Sequence, residues 1–145
     1  GKRMRRVNSV AVGVRLYEES NNPNVHGKDG KLKSVSEINS AISKLIDKQK
    51  KLYFFIFCRY NSPILDELNI QGNNVIFVTP DSGFKDSVQS LWLMTQCRHH
   101  VFTNSTFYWW GAWLSRKNYP SVEQIIYSAD NFINKDSVEV EWNIF

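Results

Sequence analysis

The sequence predicts an α/β domain built on an open, mostly parallel sheet, and three observations carry that prediction. Strand-like apolar runs at 7–15 (VNSVAVGVR), 52–58 (LYFFIFC) and 74–79 (NVIFVT) alternate with segments of helical periodicity. The run at 52–58 is apolar almost throughout, the mark of a central strand covered on both faces. The 145 residues are 42 % hydrophobic, with five Trp, six Tyr and nine Phe, enough for one domain with a sizeable core.

Taken in order, Lys2, Arg3, Arg5 and Arg6 read as a solvated basic terminus at 1–6, with a nucleic-acid contact as the rival. The valine-rich strand at 7–15 then feeds a long loop at 16–33 that carries Asn21, Asn22, Pro23, Asn24, Gly27 and Gly30. Loops of this length are commonly functional or mobile, and this one is expected to be mobile and to help form a cleft with a donor and a companion domain. Ser34 and Glu37 make an S-x-x-E capping box ahead of Ile38, Ala41, Ile42, Leu45 and Ile46, one apolar stripe on a helix ending near Lys50. After the central strand, 63–68 predicts a short helix and 74–79 a strand closed by Pro80.

A second long helix is expected at 86–96, with Val88, Leu91, Trp92 and Thr95 on one face. A short strand at 100–103 ends in the polar turn opened by Asn104. The segment 107–114 (FYWWGAWL) is apolar nearly all round, a helix wedged against the sheet. Gly111 there lowers helix propensity by up to about 1 kcal/mol, or marks a close helix–sheet contact. A last strand at 124–128 precedes a tail, 130–145, expected to pack back through Phe132 and Trp142.

The formal charge of +4 favours anionic ligands without choosing among a nucleotide diphosphate, RNA and an acidic membrane surface. Cys58 and Cys97 lack CxxC spacing and sit in apolar segments, so they read as buried thiols in a reducing compartment. No apolar run reaches the roughly 18 residues of a membrane span, and no signal peptide is visible. The expectation is a cytoplasmic protein, membrane-associated only through peripheral contact of a longer parent with the inner membrane.

In an open parallel sheet the carboxyl ends of the strands face the ligand crevice, which assembles Arg15, Cys58 with Arg59, Thr79 with Pro80, and Thr103 with Asn104. Arg15 is placed to clamp a phosphate, or to pair with Glu18 or Glu19. Asn104, Ser105 and Thr106 are placed to bind an anion at a helix start, or simply to cap that helix. Arg59 and Tyr60 either contact a base or fill the rim. The adjacent His99 and His100 point to opposite faces of a strand, and with His26 they show no zinc spacing, so a structural or exposed role is expected. Trp109, Trp110 and Trp113 read as core or interface rather than a sugar platform. Neither GxGxxG nor GxxxxGK[ST] occurs.

The stretch 91–114, LWLMTQCRHHVFTNSTFYWWGAWL, resembles the C-terminal signature of the α-1,2-fucosyltransferase family, a family-11-like group of glycosyltransferases, in its His pair, its Asn-Ser-Thr-Phe turn and its double tryptophan. Residues 52–58 resemble the family's F-F-I-F-S strand, and 9–15 its S-V-x-V-H-I-R strand. The resemblance implies a Rossmann-like domain, one half of a GT-B-type enzyme, that binds GDP-fucose. The complete enzyme would transfer fucose with inversion to a galactoside hydroxyl, without an essential metal.

It further implies that Arg15 is the catalytic residue, contacting the diphosphate, and that Asn104, Ser105 and Thr106 line the donor phosphate. The departures lie where the family reads H-x-R-R-G-D and this chain has Gly13-Val14-Arg15-Leu16-Tyr17-Glu18, and where Ser-Asp-Asp is replaced by Cys58-Arg59-Tyr60. These leave the donor base and sugar open. The acceptor-side domain is expected outside this chain, which alone is expected to be inactive because transfer needs the reacting groups held in one closed site. A noncatalytic nucleotide- or carbohydrate-binding domain is the alternative, and no nucleic-acid partner is expected.

Overall fold

The computed structural model describes residues 1–16, 32–70, 74–132 and 134–145. The loop expected at 16–33 falls mainly on 17–31, outside the described residues, as do Glu18, Glu19 and His26. Among the described residues six strands, β1 (Asn8–Gly13), β2 (Leu52–Phe57), β3 (Asn74–Val78), β4 (His99–Phe102), β5 (Ile126–Ser128) and β6 (Asn143–Ile144), form one sheet in the order β3-β2-β1-β4-β5-β6. Every neighbouring pair is parallel. The chain runs outward from β1 to β3 on one side, then returns to the other side of β1 with β4. The gap between β1 and β4 is therefore the topological switch point of a Rossmann-like sheet, the architecture of one half of a GT-B-type glycosyltransferase.

Four α-helices flank the sheet among the described residues: α1 (Lys2–Arg6), α2 (Val35–Lys48), α3 (Ser87–Thr95) and α4 (Thr106–Ser115). The capping box starts α2 as expected, with Ser34 Oγ accepting from the Glu37 amide and Glu37 Oε2 accepting from the Ser34 amide. Its buried stripe, Ile38, Ala41, Ile42 and Leu45, covers Val10, Val12, Phe54, Ile56 and Val101 on one face of the sheet. Alternate residues Ala11, Phe55, Phe57 and Phe102 point to the other face, under Met94 of α3 and Tyr108 and Ala112 of α4. Strands buried on both faces explain why β1 and β2 read as continuous apolar runs rather than alternating ones.

Several local expectations are corrected. The face expected to bury α3 is buried only in part: Val88 is 73 % exposed and Trp92 54 %, whereas Thr95 is buried as expected and Met94, from outside that face, is buried with it. The segment is uncharged, so no polar side marks the solvent face, and the packing partner decides the rotation. That partner is α4, because a Cβ on Gly111 would collide with the Met94 side chain. Gly111 thus marks a close helix–helix contact, not a helix–sheet one. The basic terminus is the short helix α1, with Met4 buried and Arg5 donating to Gln96 Oε1 and, at 3.4 Å, to Asn118 Oδ1.

The strand after α3 begins at His99, and both histidines are buried. The tail packs back through Phe132 and Trp142, whose rings lie 6.3 and 5.6 Å from that of Phe102, and adds the edge strand β6 that periodicity over two residues does not announce. Cys58 and Cys97 are free, buried thiols. The membrane association expected for a longer parent is also corrected: no helix among the described residues is long and apolar enough to cross a membrane, the 14-residue α2 being amphipathic.

Candidate functional site

β1 ends at Gly13, yet the next peptide units remain clamped between the neighbouring strands. The Val14 amide donates to Phe57 O at 3.0 Å, and the Thr103 amide donates to Gly13 O at 3.0 Å. The peptide joining Val14 to Arg15 is tied at both polar ends. Its carbonyl accepts from Tyr108 Oη at 2.9 Å and from Cys58 Sγ at 3.2 Å, while its N–H donates to Thr103 Oγ1 at 2.9 Å. Arg15 therefore leaves a fixed peptide plane at the switch point. Its guanidinium donates through Nη1 to the carbonyl of Asn104 at 3.0 Å, so the side chain lies over the turn that follows β4.

That turn is where the fold leaves polar atoms unsatisfied. Asn104 is only 5 % exposed, and among the described residues neither its Nδ2 nor its Oδ1 has a hydrogen-bond partner. Ser105 is the N-cap of α4 but makes no side-chain cap bond. Plain helix capping by these two side chains is therefore not what the structure shows. An orphaned buried amide costs about 1–3 kcal/mol, and such groups in folded proteins call for an explanation. Thr106, the first residue of α4, is exposed at the same end. The helix dipole of α4 adds a partial positive charge at this end.

A cleft of about 470 Å³ opens beside this turn, between the ends of β2 and β3 and the N-termini of α3 and α4. Arg59, Lys85, Phe84, Ser87, Ser105 and Tyr108 are among its lining residues, and none of the lining residues is Asp or Glu. The site residues thus fall into two groups: Arg15 and Asn104 are in direct contact, whereas Arg59 shares the adjoining cleft with Ser105. Burial pushes the Cys58 thiol up from its ordinary pKa, although the amides of Arg59 and Tyr60 point at the sulfur and act the other way. Thr79, at the end of β3, instead donates to Asn61 Oδ1 at 2.7 Å and caps the 3-10 turn Pro80–Ser82.

His99 and His100 take no part in this cleft. His99 Nδ1 accepts from the Ile125 amide at 2.9 Å, which assigns the proton to Nε2, facing Asn8 Oδ1 at 3.0 Å. His100 Nε2 faces Cys97 O at 3.2 Å. Among the described residues, no group of three or more His, Cys, Asp or Glu converges as a metal site. Trp109 and Trp113 stack at 6.1 Å, and Trp109 also packs 5.7 Å from Trp142, so this part of the tryptophan cluster holds the tail. Sequence reasoning missed Tyr108 and Lys85. Tyr108 sits in an apolar run that reads as core, and Lys85 looks like any surface lysine. The one available signal was position, four residues after Asn104 and immediately before the cap of α3.

Residues 29–145 match the model of glycosyl transferase family 11. The chain is similar to an alpha-1,2-colitosyltransferase of Escherichia coli, 30 % identical over 119 residues that make up 80 % of this chain and 39 % of that protein. The chain therefore spans well under half the length of this curated relative. No solved structure matches it. The family match takes in Arg59, the turn 104–106 and every element from α2 to β6, while β1 and Arg15 precede it. On a match covering most of its length, the chain belongs to glycosyl transferase family 11, a family of sugar-transferring enzymes.

Proposed function

We propose that this chain binds the diphosphate of a nucleotide sugar at the β1/β4 switch point, as the donor-binding part of an inverting glycosyltransferase. The observation that carries the reading is the buried, unpartnered side chain of Asn104 beside the Arg15 guanidinium. A phosphate there would accept from the Asn104 amide, the Ser105 hydroxyl and the first turn of α4, and would sit against Arg15. These donors suit a reaction in which negative charge grows on the departing phosphate oxygen, since they are already oriented toward it. The neighbouring cleft, with Arg59, Lys85 and aromatic walls, is of a size and chemistry for the nucleoside. The donor fitting the family signature is GDP-fucose, and the name of the E. coli relative adds colitose as a second sugar. In the complete protein the product would be an α-1,2 linkage to a galactoside hydroxyl, made with a companion acceptor-side domain.

Calorimetric titration with GDP, UDP, GDP-fucose and free sugars tests this. GDP binding weakened at least about tenfold by Arg15→Ala is the expected result. No nucleotide binding, or binding unaffected by that change, would count against it. A second reading, a noncatalytic nucleotide- or carbohydrate-binding domain, is favoured by the lack of any carboxylate among the described residues that line the cleft. Binding to free glycans alone would select it.

A further inference from the structure

Tyr108 belongs to neither the sequence-derived site nor the phosphate turn, yet it meets both. Its ring lies across Gly13: a Cβ added there would come within 2.5 Å of the ring's Cγ and within 2.9 Å of both Cδ atoms. Its hydroxyl donates to Val14 O at 2.9 Å, the carbonyl of the same peptide whose N–H is held by Thr103. It is 8 % exposed, and that small surface lines the cleft beside Ser105. The ring is thus packed too closely for any residue but glycine at 13, and the hydroxyl meets the one carbonyl whose rotation would swing Arg15.

We propose that Tyr108 is the positioning residue for Arg15, locking the Val14–Arg15 peptide so that the guanidinium faces an incoming diphosphate. The ligand class is a pyrophosphate ester, and the proposal rests on the diphosphate reading above. Tyr108 acts through geometry and does not itself touch the anion. Three side chains from three elements, Cys58 after β2, Thr103 after β4 and Tyr108 in α4, grip one peptide unit beyond the end of β1. Of these the hydroxyl is the stronger donor to the carbonyl, the thiol being a weak one. Without it the peptide is held firmly at the N–H end only, and Arg15 must be ordered again each time an anion binds.

Inorganic pyrophosphate is the probe, because its binding is independent of the donor base. Its affinity is read by NMR chemical-shift titration for the wild type, Tyr108→Phe, Arg15→Ala and the double variant. Tyr108→Phe keeps the ring on Gly13, and a thermal melt checks that each variant is folded. The expected result is an affinity loss of about threefold to tenfold for Tyr108→Phe, and no further loss when the same change is made in Arg15→Ala. A merely structural tyrosine would weaken both backgrounds equally. An unchanged Tyr108→Phe affinity, or an equal loss in both backgrounds, would overturn the positioning role while leaving the diphosphate reading intact. Unchanged binding in Arg15→Ala would overturn both.

Discussion

Met94 rests directly on Gly111, and this contact sets how α3 and α4 lie against each other. The space for a Cβ at 111 is filled by the Met94 Cγ and Sδ. Gly111→Ala gains up to about 1 kcal/mol of helix propensity but overpacks this contact by about 1–3 kcal/mol. The expected outcome is a net loss of roughly 1 kcal/mol, read as a lower urea midpoint at unchanged slope. A midpoint equal to or above the wild type would mean that Met94 moves aside freely.

On the diphosphate reading, Asn104 links stability to binding. Its unpaired buried amide is a burden in the free protein, so Asn104→Leu is expected to raise stability by roughly 1 kcal/mol while weakening GDP or pyrophosphate binding by at least about tenfold. Denaturant unfolding and calorimetry on the same samples check both halves. Unaltered binding would remove Asn104 from the site.

The buried histidines make folding pH-dependent. Burial, helped by the nearby Arg98 charge, holds His99 at about 4, and burial holds His100 at about 3, both from an ordinary 6.5. The unfolded chain therefore takes up protons that the folded one refuses. Their contribution is complete above pH 6.5, falls as the pH drops from 6.5 toward 4, and for His100 continues toward 3. Glu37 is shifted down from 4.5 by its hydrogen bonds to Ser34, so its contribution is lost only at lower pH, below that value. Urea unfolding at pH 7.5, 6.0 and 5.0 should give steadily lower stability. A flat profile over that range would contradict the neutral, buried assignment.

The capping box at the start of α2 gives a simpler expectation. Ser34→Ala removes the acceptor for the Glu37 amide and the hydroxyl that donates to Glu37 Oε2 at 2.8 Å. A loss of about 1 kcal/mol is expected in chemical denaturation, without effect on nucleotide affinity. A drop in affinity comparable to that of the site variants would show that the start of α2 reaches the ligand.

Much of the architecture was legible from the chain because it rests on local, repeating causes. The S-x-x-E box starts α2, since its two hydrogen bonds need only residues 34 and 37. The apolar runs at 52–57 and 8–13 are strands of a sheet covered on both faces, whatever covers them. The strand-end rule likewise brought Arg15 and Asn104 to one edge of the sheet.

What only the tertiary structure decided concerns groups whose partners lie far along the chain. Strand order put β1 beside β4, so that Arg15 and Asn104 meet across 89 residues; nothing in either segment encodes that adjacency. The rotation of α3 was set by a glycine on α4, because an uncharged helix carries no mark of its solvent side. Tyr108 reads as core by every local criterion, and it is core. It adjoins the candidate site only because packing laid its ring on Gly13 and its hydroxyl on the carbonyl ahead of Arg15, since a side chain's hydrogen-bond partner is chosen by the fold and not by its neighbours in sequence.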